Sequence, residues 1–79
     1  MVNGMQDVDN IISDVFEIDV SDIEYSMTPD DIERWDSLGN LILINTIEVK
    51  FNITLDMEEI FSIEKIEDIY ELLRKRGSI

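Results

Sequence analysis

Apolar residues near the start of the chain recur at helical spacing. Met5, Val8, Ile11, Ile12, Val15 and Phe16 fall within an arc of about 140° at about 100° per residue. Gln6, Asp7, Asn10, Ser13, Asp14 and Glu17 cover the other side. This predicts an amphipathic helix whose stripe is core and carries no site. A second stripe closes the chain, with Ile63, Ile66, Ile69, Tyr70, Leu72 and Leu73 on one half of a wheel. Ser62 suits the start of that helix and Glu64 its first turn. Arg74, Lys75 and Arg76 suit its last turn, and Gly77 its stop. A short turn over residues 56–61 precedes it, with Met57, Ile60 and Phe61 available for packing.

Residues 18–35 lack sustained periodicity. They hold two helix-start signals: Ser21 before Asp22, and Thr28 before Pro29, Asp30 and Asp31. The expectation is a long ordered connection with short turns, pinned to the core by Val20, Ile23, Met27, Ile32 and Trp35. A long connection in so small a domain is often functional.

Residues 37–55 give two patterns. From Ile47 to Leu55, apolar Ile47, Val49, Phe51, Ile53 and Leu55 alternate with Glu48, Lys50, Asn52 and Thr54, which reads as a half-buried strand. The helical reading starts at Asp36 or Ser37, both good cap residues. It puts Leu41, Leu43, Ile44, Ile47 and Phe51 on a core side. Leu38, Ile42 and Val49 then lie opposite with Asn45 among them. A helix apolar on two faces must meet a loop, a partner or another copy with the second.

Composition narrows the function. The chain has 79 residues, 44% of them apolar, which is enough for one small core. It has 19 acidic and 6 basic residues, a net charge of −13, and so is repelled by nucleic acid and anionic membranes and suited to basic partners. It contains no cysteine and no histidine. That leaves no disulfide, no thiol and few ways to move a proton near neutral pH, so neither catalytic residues nor a metal site are expected. No basic-then-apolar leader is evident, and no apolar run is long enough to span a bilayer, so a cytoplasmic protein without membrane insertion is expected.

The segment W-D-S-L-G-N-L from Trp35 to Leu41, the helical patterns around it and the ending S-I-E-K-I-E-D-I-Y-E-L-L resemble an acyl carrier protein. The likeness runs from about Met5 to Arg74 and includes the acidity and the order of helices. It implies an all-α fold: a small four-helix bundle with a long loop between the first and second helices and a short third helix. It also implies one domain over residues 1–79. On this likeness the helix from Ser37 through Phe51 replaces the strand, with a loop to about Leu55.

The resemblance further implies that Ser37 receives a 4′-phosphopantetheine arm from coenzyme A, through a separate transferase that uses Mg²⁺. The thiol missing from the chain would arrive with that arm. Asp36 and Leu38 match the residues that the transferase recognises, and Asp36 can also cap the helix. Ser37 is the only serine preceded by aspartate. Leu38, Ile42, Asn45, Glu48, Val49 and Ile63 are the candidate partner-binding residues. Ile44, Ile47, Ile60, Ile66 and Tyr70 are candidates to line an acyl cavity, though small cores use the same residue types. Implied partners are the transferase, and acyl-activating, acyl-transferring and synthase enzymes with basic or apolar docking surfaces. A monomer is expected.

The sequence departs from the family in one respect. Carriers of primary fatty acid synthesis bear acids along the face below the serine. Here that face reads Gly39, Ile42, Asn45 and Val49, with Glu48 nearby. This suggests docking by apolar contact, and a specialised carrier for fatty acid, polyketide or other biosynthesis. An aminoacyl or peptidyl carrier, such as one for D-alanine, would use the same serine and arm. A rival of another class is an acidic interaction module or nucleic-acid mimic, in which Ser37 is only a cap. A calcium module fits less well, because no D-x-[DN]-x-[DN]-G run follows Asp7 or Asp30.

Overall fold

The computed structural model describes residues 4–79. Among the described residues four α-helices follow one another: α1 (Gly4–Phe16), α2 (Ser37–Phe51), α3 (Met57–Phe61) and α4 (Ile66–Lys75). A 3₁₀ turn, Val20–Asp22, lies in the α1–α2 connection, and no strand occurs among the described residues.

The stripe of α1 buries Val8, Ile11, Ile12 and Phe16, and that of α4 buries Ile66, Ile69, Tyr70, Leu72 and Leu73. Between them α2 contributes Leu43, Ile44 and Ile47. The expected helix over residues 37–51 is present. The alternation that mimicked a strand spans the end of this helix, which stops at Asn52 with its left-handed backbone (φ 54°). Beyond it Ile53 is half-buried and Leu55 buried as loop residues, while Val49 points outward.

Helices α1, α2 and α4 end in the same device. Glu17 (φ 55°), Asn52 (φ 54°) and Gly77 (φ 75°) turn left-handed just past the last turn. The next N–H then reaches back: Ile18 to the Ser13 carbonyl at 3.2 Å, Ile53 to Glu48 at 3.1 Å, and Ser78 to Leu73 at 2.9 Å. Each bond closes the last turn onto one of its carbonyls, the Glu48 carbonyl also accepting from Asn52 N–H.

The long connection is ordered as expected, but its anchors differ. Ile32 and Trp35 are buried, and Ile23 and Met27 pack partly against the core. Val20 is 45% exposed and pins nothing. The Thr28-Pro29 signal yields a turn rather than a helix. Thr28 N–H donates to Asp31 Oδ2 at 2.9 Å, and the chain must deliver Ile32 and Trp35 to the core before a second turn can form. Trp35 stacks on Phe16 with ring centroids 5.2 Å apart.

Ser62 does not cap α4. Its hydroxyl donates to the Glu59 carbonyl at 2.7 Å and closes α3. Asp68, in the first turn of α4, instead reaches back to the chain entering the helix: its Oδ2 accepts from Glu64 N–H at 2.9 Å and Lys65 N–H at 3.1 Å. The connection completes it: Ile66 N–H reaches the Met27 carbonyl, and Glu67 N–H the Tyr25 carbonyl, both at 2.9 Å. Donors that a helix start leaves free are thus used to hold the long loop. Helix α3 buries little. Ile60 packs partly, but Met57 and Phe61 stay 65% and 72% exposed. Arg76 ties α3 to α4, donating to Glu59 Oε2 at 2.9 Å and to the Thr54 carbonyl at 2.8 Å.

Candidate functional site at the head of α2

Asp36 and Ser37 divide the start of α2 between them. Asp36 is the cap: its backbone is extended, and its Oδ1 accepts from Gly39 N–H at 2.8 Å. Its own carbonyl takes the first intrahelical bond, from Asn40 N–H at 2.8 Å. Ser37 is therefore the first helical residue, released from capping. It is exposed, and its hydroxyl joins no hydrogen bond among the described residues. The Ser37 and Leu38 N–H groups lie in the first turn, where an α-helix has no intrahelical partner for them. Exposed first-turn donors and the positive end of the helix dipole favour an anion there. A phosphodiester on Ser37 fits that donor set.

The segment before the cap is fixed from three sides. Trp35 is 4% exposed, and its indole N–H donates to Asn40 Oδ1 at 3.0 Å. Arg34 Nε pairs with Glu17 Oε2 at 2.6 Å, joining the end of the connection to the end of α1, though both side chains are more than half exposed. Gly39 is buried where the chain passes closest. A Cβ there would penetrate the Arg34 carbonyl oxygen and lie 3.3 Å from Asp36 Oδ1. Glycine is required by this approach.

Gly39 consequently does not belong to the outer face on which the sequence reading put it. That face consists of Leu38 (65% exposed), Ile42 (47%) and Val49 (75%), with exposed Asn45 between them. Leu41, expected in the core, is 64% exposed and extends the same strip. The burial of Gly39 turns α2 so that Leu43 and Ile47 face inward and Leu41 outward. Its signal in the sequence is its place two residues beyond Ser37, inside the first turn of α2. Glu48 does not stand free on the face: its Oε2 accepts from Leu55 N–H at 2.8 Å and braces the α2–α3 loop. Ile63 is half-buried against the core.

The candidate cavity residues Ile44, Ile47, Ile66 and Tyr70 are packed in the core, and Ile60 at its edge. The Tyr70 hydroxyl donates to Asp9 Oδ1, and its ring meets Tyr25 edge-on at 5.1 Å. Burial, first, and the Asp9 carboxylate beside it push the Tyr70 phenol well above its usual pKa. No group of three or more potential metal ligands occurs among the described residues. No described helix is long and apolar enough to cross a membrane.

Residues 6–73 match the family model described as "Phosphopantetheine attachment site". No curated protein matches the chain. Among solved structures, a proposed acyl carrier protein from Mycobacterium tuberculosis, Rv0033, superposes with a TM-score of 0.82. Its sequence is 20% identical, and the alignment covers 94% of this chain and 99% of that one. That likeness bears on the fold, which is the four-helix arrangement expected from the sequence. The family match covers most of the chain, and so the protein belongs to the phosphopantetheine attachment site family, whose members are carriers rather than enzymes.

Proposed function

We propose that Ser37 bears the 4′-phosphopantetheine arm, and that the protein presents acyl intermediates on it to partner enzymes. The observation that carries this reading is the division of labour at the head of α2, where Asp36 takes the cap and leaves the Ser37 hydroxyl exposed. Loading forms a bond between Ser37 Oγ and phosphorus and breaks the pyrophosphate bond of coenzyme A. Adenosine 3′,5′-bisphosphate leaves. The hydroxyl proton goes to a base of the transferase. Mg²⁺ belongs to that transferase step. Asp36 and Leu38, flanking the serine, are the recognition residues. Once attached, the arm supplies the thiol that holds cargo as a thioester.

The outer face of α2 is the partner surface in this reading. Leu38, Ile42, Asn45 and Val49 form it, and Glu48 and Ile63 contribute mainly to its support. Its apolar character favours a specialised biosynthetic pathway over housekeeping fatty acid synthesis. Residues 1–79 act as one monomeric carrier domain, and a cytoplasmic location belongs to the same reading.

The test is intact-protein mass after incubation with coenzyme A, Mg²⁺ and a broad-specificity phosphopantetheinyl transferase, with Ser37→Ala alongside. A gain of one phosphopantetheine by the parent alone is expected. No gain by a folded parent with several transferases would leave Asp36-Ser37 as a plain helix start and bring forward the acidic interaction module.

A further inference from the structure

We propose that the outer strip of α2 is also a resting site for the chain's own pantetheine arm, with Leu41 and Asn45 as the residues that hold it; this rests on attachment at Ser37. The strip poses a question that partner docking leaves open. Asn45 is exposed in the middle of an apolar helix, where asparagine is a poor helix former. Its neighbour Thr46 is accounted for, since its hydroxyl donates to the Ile42 carbonyl at 2.7 Å. The Asn45 carboxamide has no hydrogen bond among the described residues. Leu41 is exposed with it, and Leu41, Ile42 and Asn45 line a shallow concavity of about 420 Å³.

Distance along the helix gives these residues their meaning. Leu41, Asn45 and Val49 lie about 6, 12 and 18 Å from Ser37 at a rise of 1.5 Å per residue. An extended pantetheine arm measures about 16 Å from phosphorus to sulfur. Its geminal methyl groups lie about 4 Å from phosphorus and its second amide about 12 Å. Laid along α2, the methyl groups come level with Leu41 and the second amide with Asn45. A carboxamide offers both a donor and an acceptor, which is what an amide needs. The thiol then reaches the level of Val49. A second concavity near Ser37, lined by Val15, Arg34, Asp36, Leu38, Gly39 and Ile42, is only about 110 Å³ and cannot take the whole arm. A partner docking on the strip must displace the arm, so docking and presentation of the thiol are coupled.

The test uses isotope-labelled protein loaded with an unlabelled arm, loading being checked first by mass. Isotope-filtered NMR should show contacts from the geminal methyl groups to the Leu41 methyls, and a shift of the Asn45 side-chain amide relative to the unloaded form. Leu41→Ala and Asn45→Ala, both on the exposed face, should each raise the rate of thiol alkylation roughly two- to tenfold, the range of one lost hydrogen bond or small apolar contact. Loaded protein whose shift changes stop at residues 36–38, with alkylation rates equal in parent and variants, would overturn this inference and leave the attachment intact. Failure to load would overturn both.

Discussion

Replacing Gly39 with alanine sets two effects of known sign against each other. Alanine is the better helix former by about 1 kcal/mol in a helix interior, so propensity alone predicts a more stable protein. The structure predicts the opposite. The new Cβ would lie 3.0 Å from the carbonyl carbon of Arg34 and inside the contact radius of its oxygen. The obstacle is backbone and cannot swing aside as a long side chain would. Residues 34–36 must therefore withdraw by about an ångström, a displacement that costs about 1–3 kcal/mol in a packed site. That segment also carries the Asp36 cap, worth about 1 kcal/mol, and Trp35, which stacks on Phe16 and bonds to Asn40.

Against the gain in propensity, the net expectation for Gly39→Ala is a loss of about 1–3 kcal/mol. A domain of this size has a total of about 4–12 kcal/mol, so the change is large enough to read. Urea unfolding followed by circular dichroism gives it directly, as a lower midpoint at unchanged slope. Folded Gly39→Ala should also be loaded more slowly, because the same withdrawal moves the backbone on which Ser37 is set. A midpoint equal to or above the parent's would refute the reasoning. It would show that the 34–36 segment yields freely and that its approach to α2 does not fix the site.

Asp36→Ala should cost about 1 kcal/mol by loss of the cap, whereas Ser37→Ala should change stability by less than about 0.5 kcal/mol while abolishing loading. Urea midpoints in the reverse order would show that serine does the capping. Hydrogen bonds from Arg76, first, and the Asp56 backbone hold the Glu59 carboxyl at about 2, well below its usual 4.5. A depressed carboxylate stabilises the fold fully above its unfolded value and loses that contribution as pH falls through its folded value. Stability should therefore decline between about pH 4.5 and pH 2 by an amount that Glu59→Gln removes, and identical acid profiles for parent and variant would count against the clamp. Ile42→Glu and Val49→Glu should leave the urea midpoint unchanged within about 0.5 kcal/mol and raise KM for partner enzymes; unchanged kinetics would exclude the outer face of α2 as the docking surface.

The first and last helices were legible because each buries a single stripe, so counting apolar spacing recovers the face that packs. Helix α2 was not legible in this way. With Leu43 and Ile47 inward and Leu38, Ile42 and Val49 outward, its apolar residues point in opposite directions and any periodic signal cancels. Spacing can say that such a helix has two faces but not which one the bundle takes. That choice was made by tertiary contacts: Gly39 lets the Arg34 carbonyl lie against α2, Trp35 packs on Phe16, and the rotation they fix exposes Leu41. The stop at Asn52 was hidden for a related reason. Asparagine tolerates a left-handed backbone, but nothing in the 47–55 alternation marks it as the residue that adopts one.

The candidate site, by contrast, was legible in two letters whose order matters physically. A serine in the cap position would turn its hydroxyl toward the third N–H of the helix and lose it as an exposed group. Placing aspartate first gives that task to a carboxylate oxygen, better suited to a backbone donor at the positive end of a helix. The serine moves one residue along, to the first helical position. There, packing does not cover its side chain, and first-turn N–H groups are near enough to receive a phosphate. What the letters did not carry was the support behind them. The Arg34–Glu17 pair, the Trp35–Asn40 hydrogen bond and the close approach at Gly39 join residues from α1, the connection and α2. Each is a long or sideways contact with no periodic trace, and together they hold Asp36 where its oxygen can free Ser37.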